Sequence, residues 1–93
     1  MEENQEQIRR IRRYERMMRE ANRILALEDV SDELQAKLQK LLRKLDAYYR
    51  SDAWKQDFAD DEAGLLPKNL KRGVLSEDGL YNLLENYDPT KLS

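Results

Sequence analysis

The chain has 93 residues, 39% of them charged, yet 17 basic and 19 acidic side chains leave a formal net charge of only −2. This length supports one small domain that buries roughly two thirds of the surface its unfolded form exposes, and a balance this close to neutral neither forbids folding nor selects a polyanion or a membrane as partner. With no Cys and no His, disulfides, thiolate metal sites, the usual zinc ligands and Ser-His or Cys-His nucleophile pairs are excluded.

The opening MEENQEQ is acidic and lacks an apolar core of signal-peptide length, and no later stretch approaches the roughly 20 apolar residues of a membrane span. A soluble, cytoplasmic protein without a membrane anchor is therefore expected. All three glycines and both prolines lie after residue 63, so no helix breaker interrupts the first half. There Ile11, Tyr14, Met18, Ala21 and Leu25 share one helical face at a coiled-coil period, which predicts a helix over about 5–27. After the polar break LEDVS, Ser31 is a good N-cap and Leu34, Leu38, Leu41, Leu45 and Tyr48 repeat the spacing. A second helix follows over about 32–50, and the short connection makes the two an antiparallel hairpin. Leu42 and Tyr49 widen its apolar stripe to about 120°, more than one partner helix covers. The C-terminal segment and a second copy of the chain, as a homodimer, are the two candidate covers, and they are not exclusive.

Beyond Ser51, SDAWKQDFADDEAG reads as a short helix over about 52–62 with Trp54 and Phe58 four apart and Gly64 as its stop. LLPKNLKRGVL follows as an ordered loop whose leucines and valine cover the open side of the hairpin. In GVLSEDGLYNLL, Ser76 is placed as an N-cap, Leu75 and Leu80 as a hydrophobic staple, and Glu77 and Asp78 in a first turn that favours negative charge. A last helix over about 77–87 follows, with Leu80, Leu83, Leu84 and Tyr87 on its buried face. Gly79 is the one residue that helix-entry grammar leaves unexplained, because glycine there costs roughly 1 kcal/mol relative to Ala. Close packing by a neighbour accounts for it, and so does a ligand. Residues 1–4 and 88–93 are expected to fray, and the whole is one all-α domain over 1–93.

The residues Tyr48, Tyr49, Trp54, Asp57 and Pro67 and the run RGVLSEDGLYNLL from Arg72 to Leu84 resemble a family of short bacterial proteins known as a domain of unknown function, DUF4298-like. The resemblance covers the C-terminal half specifically and the N-terminal half only through helical length and polarity. It implies a small, mostly helical bacterial protein, and it carries over no catalytic or binding residue.

Seven arginines between Arg9 and Arg23, offset by Glu15 and Glu20, give the strongest local charge in the chain. Arg9, Arg12, Arg13, Arg16, Arg19 and Arg23 form a candidate basic face that would suit a phosphate backbone. The expectation is instead that acids elsewhere neutralise it, since Asp52, Asp57, Asp60, Asp61 and Glu62 face only Lys55 within eleven residues. The acidic run fails the calcium-loop pattern, because Ala59 and Glu62 fall where an oxygen ligand and Gly are needed. A magnesium-dependent hydrolase would need paired carboxylates one turn apart on two facing helices, and offers only Glu3 with Glu6 and Asp57 with Asp60. Trp54 and Tyr49 are expected in the core, and Tyr81 lies off the apolar stripe. The leading reading is a non-enzymatic interaction module that binds a protein partner or itself, with Trp54, Asp57, Glu77, Asp78, Gly79 and Tyr81 as candidate contacts. The alternatives are an accessory nucleic-acid binder and the carboxylate hydrolase. No cofactor, metal or catalytic residue is assigned.

Overall fold

The computed structural model describes residues 2–88 and Thr90, with side chains from Gln5 onward. Four helices follow in order: α1 (Glu2–Leu25), α2 (Asp32–Tyr49), α3 (Asp52–Glu62) and α4 (Glu77–Leu84), with a 3-10 turn at Gly73–Leu75 before the last. No strand occurs among the described residues. α1 and α2 form the expected hairpin, and the shorter elements pack across its open side.

The boundaries follow local chemistry. Ser31 caps α2 by accepting from the Leu34 N–H at 3.1 Å. Ser51 joins two helices, since its oxygen accepts from Trp54 N–H at 3.2 Å while its hydroxyl donates to the Tyr48 carbonyl at 2.6 Å. One residue thus satisfies groups left open at the end of α2 and at the start of α3. α3 ends in a Schellman turn: Gly64 sits at φ +73°, its N–H reaches the Asp61 carbonyl, and the Leu65 N–H reaches the Asp60 carbonyl. Arg72 then fastens the following loop, donating to the carbonyls of Pro67 and Leu70 and pairing with Asp61.

Ile11, Ala21 and Ile24 of α1 meet Leu38, Leu42, Leu45 and Tyr48 of α2, and Trp54, Leu66, Leu70, Val74, Leu75, Leu80 and Leu83 close the core from the C-terminal side. Leu42 is fully buried and Tyr49 is half-buried, its ring edge-on to Trp54 at 4.9 Å. The wide stripe of α2 is therefore covered by the C-terminal segment of the same chain. α1 starts at Glu2, ahead of the expected residue 5, and ends at Leu25 rather than 27; α4 stops at Leu84 rather than 87. Within the end expected to fray, the Asp88 N–H donates to buried Gln39 Oε1 at 2.6 Å, and Gln39 Nε2 donates to the Asn86 carbonyl. Met1, Pro89 and residues 91–93 lie outside the described residues.

The 3-10 turn is held from two directions. Glu15 of α1 accepts from the Val74 N–H at 2.9 Å, and the Trp54 indole N–H donates to the Val74 carbonyl at 3.0 Å. A Cβ on Gly73 would come within 3.3 Å of both Glu15 oxygens, so glycine there admits the carboxylate. Ser76 caps α4 through the Gly79 N–H at 3.2 Å, with Leu75 and Leu80 both buried beside the cap.

Gly79 lies close against its own cap: a Cβ there would meet Ser76 Oγ at 3.2 Å, Ser76 Cβ at 3.4 Å and the terminal methyl of Met18 at 3.6 Å. The Met18 methyl can move aside and Ser76 Oγ is held by its bond to the Gly79 N–H, but helices with a Ser cap routinely carry a side chain at this position. Gly79→Ala is accordingly expected to raise stability by up to about 1 kcal/mol, whereas Ser76→Ala should lower it by about 1 kcal/mol. Urea unfolding followed by Trp54 fluorescence reads both signs.

Candidate functional site

Two polar features stand out: a sealed carboxylate between three helices and an open row of arginines on the outer side of α1. The first explains why the second is open.

Asp57 is fully buried, and four hydrogen bonds reach its two oxygens. Arg10 of α1 donates from Nε to Oδ2 at 2.9 Å and from Nη2 to Oδ1 at 2.5 Å. Gln7 adds a bond to Oδ1 at 2.9 Å, and the Tyr48 hydroxyl of α2 donates to Oδ2 at 2.5 Å. Tyr48 is itself stacked on Tyr14, ring centroids 4.0 Å apart. Burial pushes the Asp57 carboxyl upward, but the donors from Arg10, Tyr48 and Gln7 outweigh it and hold the group below the usual carboxylate range. Burial, then the bond to Asp57, pushes the Tyr48 phenol well above its ordinary value. The bond to Asp57 raises Arg10 further.

This cluster is structural in its chemistry. Each oxygen of Asp57 is occupied and out of reach of solvent, and Asp60 accepts from Gln7 at 2.8 Å and from Gln56 at 2.9 Å. The Asp57–Asp60 pair of the hydrolase alternative is thus engaged by amides, a guanidinium and a phenol. The other pair includes Glu3, whose side chain is outside the described set. Among the described residues no group of three or more acids could hold a metal ion.

Asp61 pairs with Arg72, while on α1 Glu20 takes Arg23, with Lys37 of α2 at 3.3 Å, and Glu15 takes Val74. Among the described residues no acid of 52–62 pairs with the basic face: Asp57 takes Arg10, which lies off that face toward the core, and Arg23 is paired by Glu20 of its own helix. Arg9, Arg12, Arg13, Arg16 and Arg19 are exposed and, among the described residues, have no ion pair. Arg13 lies over the Tyr14 ring at 5.0 Å. Arg9, Arg12, Arg16, Arg19 and Arg23 step by 3, 4, 3 and 4, a straight row spanning about 21 Å at 1.5 Å per residue.

Open space lies along this row in several places. One part, roughly 800 Å³ beside Arg9, Arg12, Arg13 and Arg16, is merely the gap between long side chains of a single helix. A second, of about 290 Å³, lies among Arg16, Arg19, Glu20 and Arg23 of the same helix, and a third is a notch of about 230 Å³ between α1 and the loop after α3.

The sequence-derived contact candidates are separated by the fold. Trp54 is 6% exposed and stacks on Phe58 at 5.1 Å, so it belongs to the core, as its expected alternative had it. Asp57 is likewise interior; neither is a surface a partner reaches. Glu77 and Asp78 are exposed in the first turn of α4, Gly79 is partly covered, and Tyr81 is 56% exposed. Sequence reasoning missed Gln7, Arg10, Tyr48 and Glu15 as fixing residues. A signal existed for Arg10, which shares a helical face with Tyr14 and Met17 at spacings of 4 and 3.

Residues 11–90 match the model of a family described as a domain of unknown function (DUF4298). No curated protein and no solved structure matches the chain.

Asp57 has a lower pKa folded than unfolded, so the stability it contributes is present above its unfolded value of about 3.9 and is lost as pH falls through the folded value. Asp57→Asn should flatten that acid limb of the stability curve, measured by urea midpoints from pH 2 upward to neutrality. Arg10→Ala should be costlier at neutral pH, about 3–5 kcal/mol, because it strands a buried carboxylate. Tyr48→Phe should cost about 1.5–3 kcal/mol, the range for a hydrogen bond to a charged acceptor.

Proposed function

The chain belongs to this family of unknown function, and we propose that it is a non-enzymatic interaction module that docks an acidic surface of a partner protein onto the outer face of α1. The carrying observation is that Arg9, Arg12, Arg13, Arg16 and Arg19 stay exposed and unpaired in a chain with 19 acidic residues. Arginine suits this use. Its planar fork matches carboxylates bidentately, and its weak hydration lowers the cost of burial at an interface.

A protein partner is favoured over nucleic acid for three reasons. The net charge is −2 and the isoelectric point is about 5.2, against the strongly basic balance of most nucleic-acid domains. Tyr14 is stacked on Tyr48, so no aromatic interleaves with the arginines to receive bases. The opposite face of α1 is in the core, so the helix cannot enter a groove fully. A membrane surface is also disfavoured, since an interfacial helix needs an exposed apolar face, and no helix of the described residues is long and apolar enough to cross a membrane. We assign the protein to the bacterial cytoplasm on the family resemblance.

The proposal predicts saturable binding of labelled poly-glutamate at about 50 mM salt, weakening as salt screens it. Arg9→Gln combined with Arg13→Gln should reduce affinity about tenfold, the scale of losing charge-assisted hydrogen bonds, with an unchanged circular dichroism spectrum. Tighter binding of duplex DNA, with the steep salt slope of counterion release, would replace protein docking by nucleic-acid binding. A sedimentation mass of two chains, lost in the arginine variant, would make the partner a second copy.

A further inference from the structure

The notch between α1 and the loop after α3 differs from the rest of the basic face because its cations come from two elements. Arg12, Arg16 and Arg19 line one side at helical spacings of 4 and 3, and Lys71 lines the other. Leu70, 4% exposed, supplies an apolar floor. Glu15 also borders the notch, but one of its oxygens is held by the Val74 N–H at 2.9 Å. Four cations therefore border about 230 Å³ against a single, hydrogen-bonded carboxylate, and none of the four has an ion pair among the described residues.

Size and charge together define a ligand class. The space is smaller than the roughly 300–1,000 Å³ of sites that enclose whole drug-sized molecules, yet equals the share of several waters at about 30 Å³ each. A small anion fits. A carboxylate brings one charge, and a backbone phosphodiester also brings about one per phosphate, whereas a terminal phosphate monoester brings about −1.5 to −2 with three acceptor oxygens. Only the terminal phosphate offers enough charge and enough acceptors for donors on both walls. The guanidiniums can grip two oxygens each in fork geometry, with Lys71 as a point charge opposite.

We propose that this notch is a binding site for a terminal phosphate group, carried by a phosphorylated side chain of the docked partner or by a phosphorylated small molecule. The site rests on the reading of α1 as the recognition face and names the group which that face selects. Phosphorylation of the partner would then set the occupancy of the interface.

The test is a titration of the ¹⁵N-labelled full chain with inorganic pyrophosphate, with a phosphoserine in a short neutral peptide, and with duplex DNA, following backbone amides and arginine Nε–H resonances. Saturable one-to-one shifts confined to Arg12, Arg16, Arg19 and residues 69–71 are expected with pyrophosphate. Arg16→Gln and Lys71→Gln should each weaken it about tenfold, while Arg9→Gln, outside the notch, should change it less than about twofold. Tighter binding of the phosphoserine peptide than of pyrophosphate assigns the phosphate to a protein, and the reverse order assigns it to a small molecule. The proposal is overturned by non-saturating shifts spread over the whole arginine row, by equal losses in Arg9→Gln and Arg16→Gln, or by duplex DNA that displaces pyrophosphate from the same resonances. Poly-glutamate binding without pyrophosphate binding would sink the notch alone; pyrophosphate binding without poly-glutamate binding would sink protein docking alone.

Discussion

A buried carboxylate has to be compensated, and in this molecule Asp57 makes that requirement on three helices at once. Its own helix, α3, sits at the end of the hairpin; Arg10 and Gln7 reach it from α1 and Tyr48 from α2. Removing an ion from water is costly unless geometry and hydrogen bonding replace what water supplied, so these partners are fixed relative to one another as firmly as the apolar core allows. Tyr14, stacked on Tyr48, carries the constraint back into α1. The apolar core holds the helices together, and Asp57 sets how they are aligned.

The same requirement shapes the surface. With Asp57, Asp60 and Asp61 drawn to Arg10, the Gln7 and Gln56 amides, and Arg72, the acids nearest to α1 in charge balance are engaged inward or along the loop. Glu15, which lies among the arginines in sequence, is drawn to the backbone of the 3-10 turn. The outer arginines are left with solvent. Near-neutrality of the whole chain thus coexists with a local excess of cations along α1, because Asp57, Asp60 and Asp61 are engaged away from the row. A strip of this kind raises the local positive potential.

The loop after α3 links the two features. Arg72 ties it to Pro67, Leu70 and Asp61, and Leu66 and Leu70 bury beneath it. This fixes Lys71 opposite the α1 arginines, so the notch has one wall from a helix and one from a loop. The glycine at position 73 serves that placement: it allows Glu15 close enough to fasten the turn that follows.

What the sequence by itself determined was local: the all-helical class, the Ser31 and Ser76 caps, the Gly64 stop and the core stripe of α2. Each of these rests on spacing or on a cap, which neighbours within one or two turns dictate. Only the tertiary structure decided how charges pair. Asp57 and Arg10 are 47 residues apart, and Val74 and Glu15 are 59 apart; no periodicity relates such positions. A surface-like aspartate in an acidic run became the most buried polar group because α3 happens to turn that face onto the hairpin. The arginine row was visible as composition, but whether it was free or neutralised depended on the direction in which each distant acid pointed, and that is a property of packing alone.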